Sequence, residues 1–305
     1  GIQQERKSAW ADSISFQDRI THGNFVTTLG VRYEDVEYDK IAKTSGALTK
    51  FENSETMMAA STAYSMGEGK TAFIGYSQGY NPTGASSVEP EESDNYEIGY
   101  RSRNASGFME VVAFYVDYDQ LNETCSIATG CGDASQDQEN AGEAHSSGIE
   151  FTMKVNNLFP STQMKGAGDM SGVRYPFVFS ATIQEAERDV SIDETDKLDG
   201  NQLTYSPEEI FYISIGAETN DWDYKFAAKY ADEYFTNDAN TLKTESAWIV
   251  DFQGGIKLDK LGMQGARAFV NVDNLLDKTY MASAHEYGVR PNKPQSVMAG
   301  ITLDF

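Results

Sequence analysis

The sequence predicts an all-β protein, an antiparallel up-and-down transmembrane β-barrel present as an incomplete wall. Three observations support this prediction. Segments rich in Tyr, Phe, Val, Ile and Thr recur along the 305 residues. Their apolar residues alternate with polar ones, which is the period of two expected of a strand with two different faces. The connections between these segments are alternately short and long, as in membrane barrels.

The alternation is clearest towards the C-terminus. In segment 222–231 aromatic side chains fall on one face and lysines on the other. The last segment has one face of apolar residues, namely Val297, Ala299, Ile301, Leu303 and Phe305. Thr302 and Asp304 lie on its opposite face. Because lipid-facing and lumen-facing residues alternate in a membrane strand, the apolar face is expected to point outward.

About 13 segments carry this strand signal. They lie near 8–19, 25–37, 55–65, 70–78, 93–104, 107–121, 143–155, 173–187, 208–219, 222–235, 245–258, 263–273 and 296–305. Many exceed an ordinary strand of about 5–6 residues and suit a membrane strand. Simple closure of bacterial barrels uses an even strand number. We therefore expect one open antiparallel meander whose edges are the first and last segments.

The lengths of the connections indicate which end of the wall each occupies. Short turns lie near 20–24, 66–69, 105–106, 220–221 and 259–262. Long connections lie near 38–54, 79–92, 122–142, 188–207, 236–244 and 274–295. Only 156–172 is long where a short turn is expected. Short periplasmic turns and long outer loops are typical of membrane barrels. A soluble β-sandwich, the alternative, does not explain one-sided long loops.

The composition excludes two classes of protein. The chain carries 24 Lys plus Arg against 47 Asp plus Glu, a formal net charge of -23. Such an acidic chain repels phosphates, which excludes a nucleic-acid partner. No apolar run approaches the roughly 20 residues of a membrane helix, which excludes a helical membrane protein. Residue 1 is Gly, and without an initiator Met or signal peptide we expect a processed, trimmed or partial chain.

Four segments resemble the TonB-dependent receptors of the bacterial outer membrane. They are GVRYEDVEY (30–38), GYSQGYNPTGASSVEPEESDNYEIGYR (75–101), FVNVDNLLDKTY (269–280) and RPNKPQSVMAGITLDF (290–305), which ends in Phe305. They stand in the order of that family across nearly the whole chain. The cysteine-bearing loop and AGEAHSSGIE (141–150) resemble its ferric-dicitrate branch.

This resemblance implies a transporter for ferric citrate or another ferric siderophore in the outer membrane of a Gram-negative bacterium. It implies a barrel of about 22 strands filled by an N-terminal plug domain. A short box in the plug region engages the TonB energy-transducing complex. Residues 1–305 then form the C-terminal part of the barrel, with the plug and N-terminal strands missing. Phe305 takes the role of the barrel-assembly terminus, and outer-membrane lipid surrounds the wall.

Candidate ligand-binding residues come from two expected outer loops. Arg290 and Lys293 are the best-placed basic residues, and Gln78, Asn81 and Thr83 are uncharged candidates. The acidic net charge opposes an anionic ligand such as ferric citrate. For each residue an ordinary turn or loop role is the alternative. A divalent cation could bind the acidic segment 188–209, but its Asp positions do not match the EF-hand pattern. We therefore expect a solvated, charged loop there.

No enzymatic site, cofactor or metal centre is expected. GYSQG (75–79) matches a nucleophile-elbow string, but that motif needs a strand–turn–helix context, and Asn81-Pro82 follows instead. The residues His22, His145 and His285 are not spaced as metal ligands, although His285 beside Glu286 could contact an ion. Two alternatives therefore remain beside the receptor, a passive porin-like channel and, more weakly supported, an outer-membrane hydrolase.

We predict a disulfide between Cys125 and Cys131, which stand six positions apart in CSIATGC. Two unrelated thiols are the alternative, and a metal site would need further ligands nearby. An unstrained ring of this size contributes on the order of 2 kcal/mol through loop entropy. A structure with the two Cα atoms more than about 7 Å apart would contradict the bond.

Overall fold

Thirteen strands form one antiparallel sheet, with consecutive strands of the sheet paired side by side in sequence order. The computed structural model describes residues 5–42, 46–83, 88–124, 138–140, 142–159, 172–190, 198–285 and 288–303. The sheet strands are β1 (Glu5–His22), β2 (Phe25–Ala42), β3 (Leu48–Gly67), β4 (Lys70–Asn81), β5 (Glu91–Asn104), β6 (Gly107–Asp119), β7 (Glu143–Val155), β8 (Phe177–Val190), β9 (Glu209–Glu218), β10 (Trp222–Ala231), β11 (Ala247–Lys257), β12 (Ala266–Asp273) and β13 (Ser296–Leu303). The predicted count and meander are confirmed.

The sheet has two open edges. Within the described ranges β1 pairs only with β2, and β13 pairs only with β12. The wall is therefore open, as predicted, and the outer backbone of both edge strands is left without a ladder partner. The described residues include no helix long and apolar enough to cross a membrane, and the one short 3-10 helix is Asp259–Leu261.

One predicted connection is wrong. The sequence pattern predicts a long loop over 38–54, but β2 continues to Ala42 and β3 begins at Leu48. Residues of these strand ends still pair, and the Lys50 ammonium lies 3.4 Å from the Asp39 carboxylate. Charged residues occupy this part of the hairpin, so it lacks the apolar alternation on which the prediction relied. Two short hairpins within loops were also missed, Asn122–Thr124 with Gln138–Asn140 and Met281–His285 with Gly288–Pro291.

The short connections lie at one end of the wall, and the long ones at the other. The turn between β3 and β4 needs glycine at position 69, which has a φ of 74°. A Cβ there would also collide with the carbonyl oxygen of Arg103 on β5. The β7–β8 connection remains the one longer link at this end, with 160–171 outside the described residues.

The two faces of the sheet differ in polarity. A row of isoleucines crosses strands β4, β5, β7 and β8 at one level, since Ile74 pairs with Ile98 and Ile149 pairs with Ile183. These four residues are 54–60% exposed. Residues that alternate with them along the strands are mostly small or polar. We call these the apolar face and the polar face.

No second sheet within the described ranges covers the apolar face. The apolar face extends to the last strand, β13, where Val297 pairs with Val272 and Ile301 pairs with Ala268. Val297 and Ile301 are 65% and 61% exposed. Such exposure over the whole face would be unfavourable in water, whereas hydrocarbon covers it at no cost. The alternative of a soluble β-sandwich is thus wrong. The exposure of Val297 and Ile301 agrees with the prediction that they point outward to lipid. Asp304 and Phe305 lie outside the described residues.

The buried interior of the described chain is small. Its buried apolar residues are mostly alanines, with Val36, Val88 and Leu258 the larger ones. The apolar side chains therefore lie on the surface of the wall rather than in a core. This distribution is the reverse of that in a globular domain.

Aromatic rings border the apolar face at both ends. Near the long connections, the ring centroids of Tyr76 and Tyr96 lie 5.2 Å apart, and those of Tyr230 and Trp248 lie 5.0 Å apart. Near the turns, the Phe25 and Tyr64 centroids lie 4.7 Å apart. Such girdles mark the two membrane interfaces of outer-membrane barrels.

The two faces predict opposite responses to charge. Replacing Ile183 with Arg places a cation on the apolar face and should lower the free energy of unfolding by about 2–4 kcal/mol in lipid. Thr182→Arg is the matched control, because Thr182 precedes Ile183 on the opposite face, where it pairs with Glu150. Urea titration in lipid vesicles, followed by tryptophan fluorescence, measures both. Equal losses would contradict the assignment of the faces.

Candidate functional site

The polar face of strands β3 to β8 contains a cavity of about 590 Å³. We call it the inner cavity. Its lining includes Ser61, Ser77, Asn95, Glu97, Phe114, Tyr118, Ser146, Glu150 and Gln184. On β4 to β8 most of these residues lie in the half of each strand nearer the long connections, and Glu150 lies just past the middle of β7. The volume falls in the range of small-molecule sites.

Small residues create the space, and one glycine is needed for it. Ala59, Gly75 and Ser77 line the floor on β3 and β4. The Glu97 side chain crosses over Gly75, and a Cβ at position 75 would lie 2.7 Å from Glu97 Oε1. A larger residue there would push the carboxylate out of its position. Phe114 supplies an aromatic wall beside these groups.

Two amides in the cavity are fixed by hydrogen bonds. Asn95 Nδ2 donates to the Ser77 carbonyl at 3.0 Å. Gln184 Nε2 donates to the Pro207 carbonyl at 3.1 Å. Their donors are therefore engaged, which leaves the amide oxygens as the groups turned to other partners. An amide oxygen accepts hydrogen bonds and suits a donor on a ligand.

Two carboxylates in the cavity are unpaired. Neither Glu97 nor Glu150 has an ion-pair or hydrogen-bond partner within the described part of the chain, and both are exposed. No Lys or Arg lines the cavity. The cavity therefore presents negative charge, aromatic surface and amide oxygens together.

Some basic residues of the polar face lie nearer the turns and are ion-paired. Arg101 pairs with Glu110 and stacks over the Phe73 ring at 5.4 Å. Arg267 donates two hydrogen bonds to Asp223, the shorter at 2.7 Å. These two arginines lie below the level of the inner cavity, and neither lines it.

The outer connections contact one another. The Tyr205 amide donates to the Phe235 carbonyl at 2.8 Å, and Asn240 Nδ2 donates to the Gln202 carbonyl at 3.0 Å. Arg188 is buried, with its guanidinium 3.9 Å from the Asp238 carboxylate. The described part of segment 188–209 is therefore docked on its neighbour rather than fully solvated as predicted, and 191–197 lies outside the described residues.

A third connection joins this network through Tyr234. Its hydroxyl donates to the Ala282 carbonyl in the 281–291 hairpin at 2.8 Å. Burial, assisted by the nearby Tyr280 and Tyr205 hydroxyls, raises the pKa of Tyr234 above its ordinary value. The hydroxyl therefore remains a donor throughout the neutral range.

The three predicted uncharged ligand residues have different environments. Gln78 Oε1 accepts a hydrogen bond from the Met58 amide at 3.0 Å, beyond the last β3–β4 pair. By alternation Gln78 shares the apolar face with Ile74. Thr83 is buried, and its carbonyl accepts from Asn53 Nδ2 at 2.9 Å. Asn81 is exposed at the end of β4.

The two predicted basic ligand residues lie on the last outer connection. Arg290 is exposed on the Gly288–Pro291 strand. The Lys293 ammonium lies 2.7 Å from the Asp273 carboxylate at the end of β12. None of the hydrogen bonds or ion pairs among the described residues joins either residue to Gln78, Asn81 or Thr83. The structure does not bring the predicted set together, and none of the five lines the inner cavity.

The enzymatic and metal alternatives gain no support. GYSQG lies inside β4, without a strand-to-helix turn. His145 Nδ1 lies 2.8 Å from the Asp189 carboxylate, and the described residues contain no cluster of three possible metal ligands. His285 lies in a hairpin strand, whereas Glu286, Cys125 and Cys131 fall outside the described residues. The disulfide therefore stays a prediction.

Comparison with known protein families decides the class of the wall. The family model described as "TonB dependent receptor-like, beta-barrel" matches residues 2–275. The chain belongs to the TonB-dependent receptor family. Members of this family are transport receptors of the Gram-negative outer membrane rather than enzymes, and the protein is accordingly an outer-membrane protein.

Curated relatives of this TonB-dependent receptor chain are ferric-chelate receptors by name. The ferrioxamine B receptor of Salmonella typhimurium LT2 is 23% identical over 279 residues, which cover 88% of this chain and 37% of the relative. The ferrichrome outer membrane transporter/phage receptor of Escherichia coli K12 is 22% identical over 305 residues, with 96% and 38% covered. The chain thus spans less than two fifths of these relatives.

Solved TonB-dependent receptors share the fold. The unliganded ferric citrate transporter FecA matches with a TM-score of 0.77 at 17% identity, over 97% of this chain and 45% of that one. The siderophore receptor PiuA from Acinetobacter baumannii matches with 0.77 at 15% identity, over 98% and 43%. At such identities the likeness concerns the fold alone.

The hydrogen bond from Tyr234 to Ala282 should stabilise the 281–291 hairpin against local opening. Tyr234→Phe removes the hydrogen bond to Ala282 and should cost about 1 kcal/mol locally. Amide hydrogen exchange of residues 281–291 should accelerate severalfold. Tyr205→Phe is the control, because it also loses a hydroxyl but keeps the ring that lies 5.9 Å from Tyr234. Equal acceleration in both variants would contradict the role of the Tyr234 hydroxyl.

Proposed function

We propose that this chain forms part of the barrel of a receptor that imports a ferric chelate, ferric citrate or another siderophore complex, and that TonB energises the import. The observation that carries the proposal is the inner cavity on the polar face of a wall of this family. A ligand-sized cavity lined by aromatic and convergent polar groups is the usual form of a small-molecule site. The names of the curated relatives support the ligand class.

We further propose that the complete receptor contains an N-terminal plug and more strands than this chain. The open edges support this proposal. Backbone N–H and C=O groups without partners are not tolerated in hydrocarbon, and both β1 and β13 have one unpaired side in the described sheet. Additional strands between the two edges would complete the ladders. The coverage of 37% of the ferrioxamine B receptor is in keeping with such a partial wall.

Two of the predicted ligand residues remain suited to contact an arriving chelate. Asn81 and Arg290 are exposed at the outer end of the wall. Gln78, Thr83 and Lys293 have partners within the protein instead. We therefore propose that a chelate contacts Asn81 and Arg290 as it enters from the outer end of the wall. It then binds in the inner cavity.

Deletion of the gene that encodes this chain tests the function. Under iron limitation, the deletion strain should lose uptake of radioactive iron from one ferric chelate in a panel, and the intact gene should restore it. Inactivation of TonB in the parent strain should cause the same loss, because import against a gradient needs energy. Uptake that persists without TonB would contradict the receptor and favour the porin-like channel.

A second test concerns the chain by itself. Expressed alone in an outer membrane as residues 1–305, it should not import ferric chelates in an energy-dependent manner, because under the proposal the gate and the coupling box lie in the plug. The intact gene serves as the positive control, and immunoblotting of membranes checks that the chain is present. Energised uptake by the chain alone would contradict the proposed division between plug and barrel.

A further inference from the structure

We propose that the plug of the complete receptor has an acidic surface, and that this surface binds unpaired cations at the turn end of the polar face, the end with the short connections. This inference rests on the proposed function, which gives the complete receptor a plug. It names the groups by which the plug binds this part of the wall, namely Asp and Glu carboxylates. The cations of the wall, which we call the basic surface, are Arg19, Arg103, Lys154, Lys225 and Lys257.

The first argument is the position of the basic surface. Each member lies within the last four residues of its strand at the turn end. Arg103 on β5 pairs with Phe108 on β6, and Phe108 pairs with Lys154 on β7, so the three share one face of the sheet. It is the polar face, because Lys154 follows Glu150 of the inner cavity by four positions on β7. The other three members alternate with exposed apolar residues, namely Arg19 with Ile20, Lys225 with Phe226 and Lys257 with Ile256.

The second argument is that the wall has no carboxylate left to pair with these cations. In the last four strand residues at the turn end, the carboxylates of the described polar face are Glu110, Glu218 and Asp223. Each is already ion-paired, with Arg101, with Arg174 at 3.0 Å and with Arg267 at 2.7 Å respectively. No member of the basic surface has an ion-pair partner among the described residues. Positive charge is therefore in excess here, in a chain whose formal net charge is -23.

The third argument is a recess of about 410 Å³ on this surface. Its lining includes Arg103, Phe108, Lys154 and Asn156, and no Asp or Glu. The Arg103 guanidinium lies 5.1 Å from the centroid of the Phe108 ring, which holds it in place by a cation–π contact. Asn156 Nδ2 donates to the Ala105 carbonyl at 2.9 Å. A guanidinium and an ammonium side by side are the groups that bind a carboxylate through charge-assisted hydrogen bonds.

The fourth argument is the cost of covering charge. Under the proposed function the plug fills the barrel, so its surface replaces water on the polar face. A charge that leaves water without gaining a partner strongly destabilises the contact. Since the described carboxylates of the wall are already paired here, the partners of the basic surface come from the plug. Carboxylates on the plug satisfy this requirement, whereas a basic or apolar plug surface does not.

Zero-length crosslinking of the purified complete receptor tests the inference. A carbodiimide forms an amide directly between a lysine amine and a carboxylate that contacts it, and mass spectrometry identifies the two joined peptides. Lys154, Lys225 and Lys257 should become linked to Asp or Glu of the plug. The ion pair of Lys293 with Asp273 at 2.7 Å is the positive control, because it should be linked within the wall. Lys278 is the negative control, because it is exposed at the outer end and has no ion-pair partner among the described residues.

Charge variants of the complete receptor measure what the contact does. Lys154→Glu combined with Lys225→Glu places carboxylates against carboxylates and should loosen the plug. Cells that produce this variant should become about fivefold more sensitive to vancomycin, an antibiotic that an intact outer membrane excludes. Lys154→Arg combined with Lys225→Arg keeps the charge and should keep the barrier. Lys278→Glu is the matched control, because it makes the same change of charge at the outer end.

The outcomes separate the two proposals. If Lys293 is linked to Asp273 but the three lysines are linked to no carboxylate of the plug, the inference is overturned while the chelate receptor stays in place. Equal vancomycin sensitivity in Lys278→Glu would assign the effect to net charge and overturn the role of the basic surface. Links to the plug in a receptor that imports no ferric chelate would support the inference and contradict the proposed import. A complete protein without a plug would contradict the proposed architecture, and the inference with it.

Discussion

The structure depends on one constraint, which is that a backbone in hydrocarbon must find all its hydrogen bonds within protein. Antiparallel neighbours satisfy it between the two edge strands, and β1 and β2 alone pair from Glu5–Ala42 to His22–Phe25. With the backbone paired in these ladders, side chains are free to separate by face. The isoleucine row then faces outward, and serines, amides and carboxylates face inward. The inner cavity exists because this face contributes nothing to lipid contact and can hold polar groups.

The separation of faces also explains why Glu97 and Glu150 can stand without an ion-pair partner in the described part of the chain. A free carboxylate in a globular core is strongly unfavourable, but on the inner side of a barrel wall it stays exposed. The folding cost of these two groups is therefore small. The paired cations nearer the turns, such as Arg267 with Asp223, show that the same face forms ion pairs where partners are in reach.

The sequence predicts the strands well because alternation is imposed by the two environments. Where both faces of a hairpin meet water, as at the β2 and β3 ends around Ala42 and Leu48, the signal disappears and the prediction fails. The site was harder to predict. Gln78 accepts from the Met58 amide, a partner 20 positions away, and spacing along the chain does not show such a contact. Glu97 and Glu150 each stand next to an isoleucine that points outward. This alternation in the sequence is the signal that predicts their position on the inner face.

The network among the outer connections has a thermodynamic consequence. The segments around Gln202, Phe235 and Ala282 are tied by direct hydrogen bonds before any ligand arrives. Ordering a flexible loop on binding costs conformational entropy that lowers affinity. In this protein the described parts of three connections are already ordered in the folded state, so their loss of conformational entropy occurs on folding and not on binding. The described outer end of the wall above β8 to β13 is therefore preorganised, and a ligand that contacts it need not immobilise it on arrival.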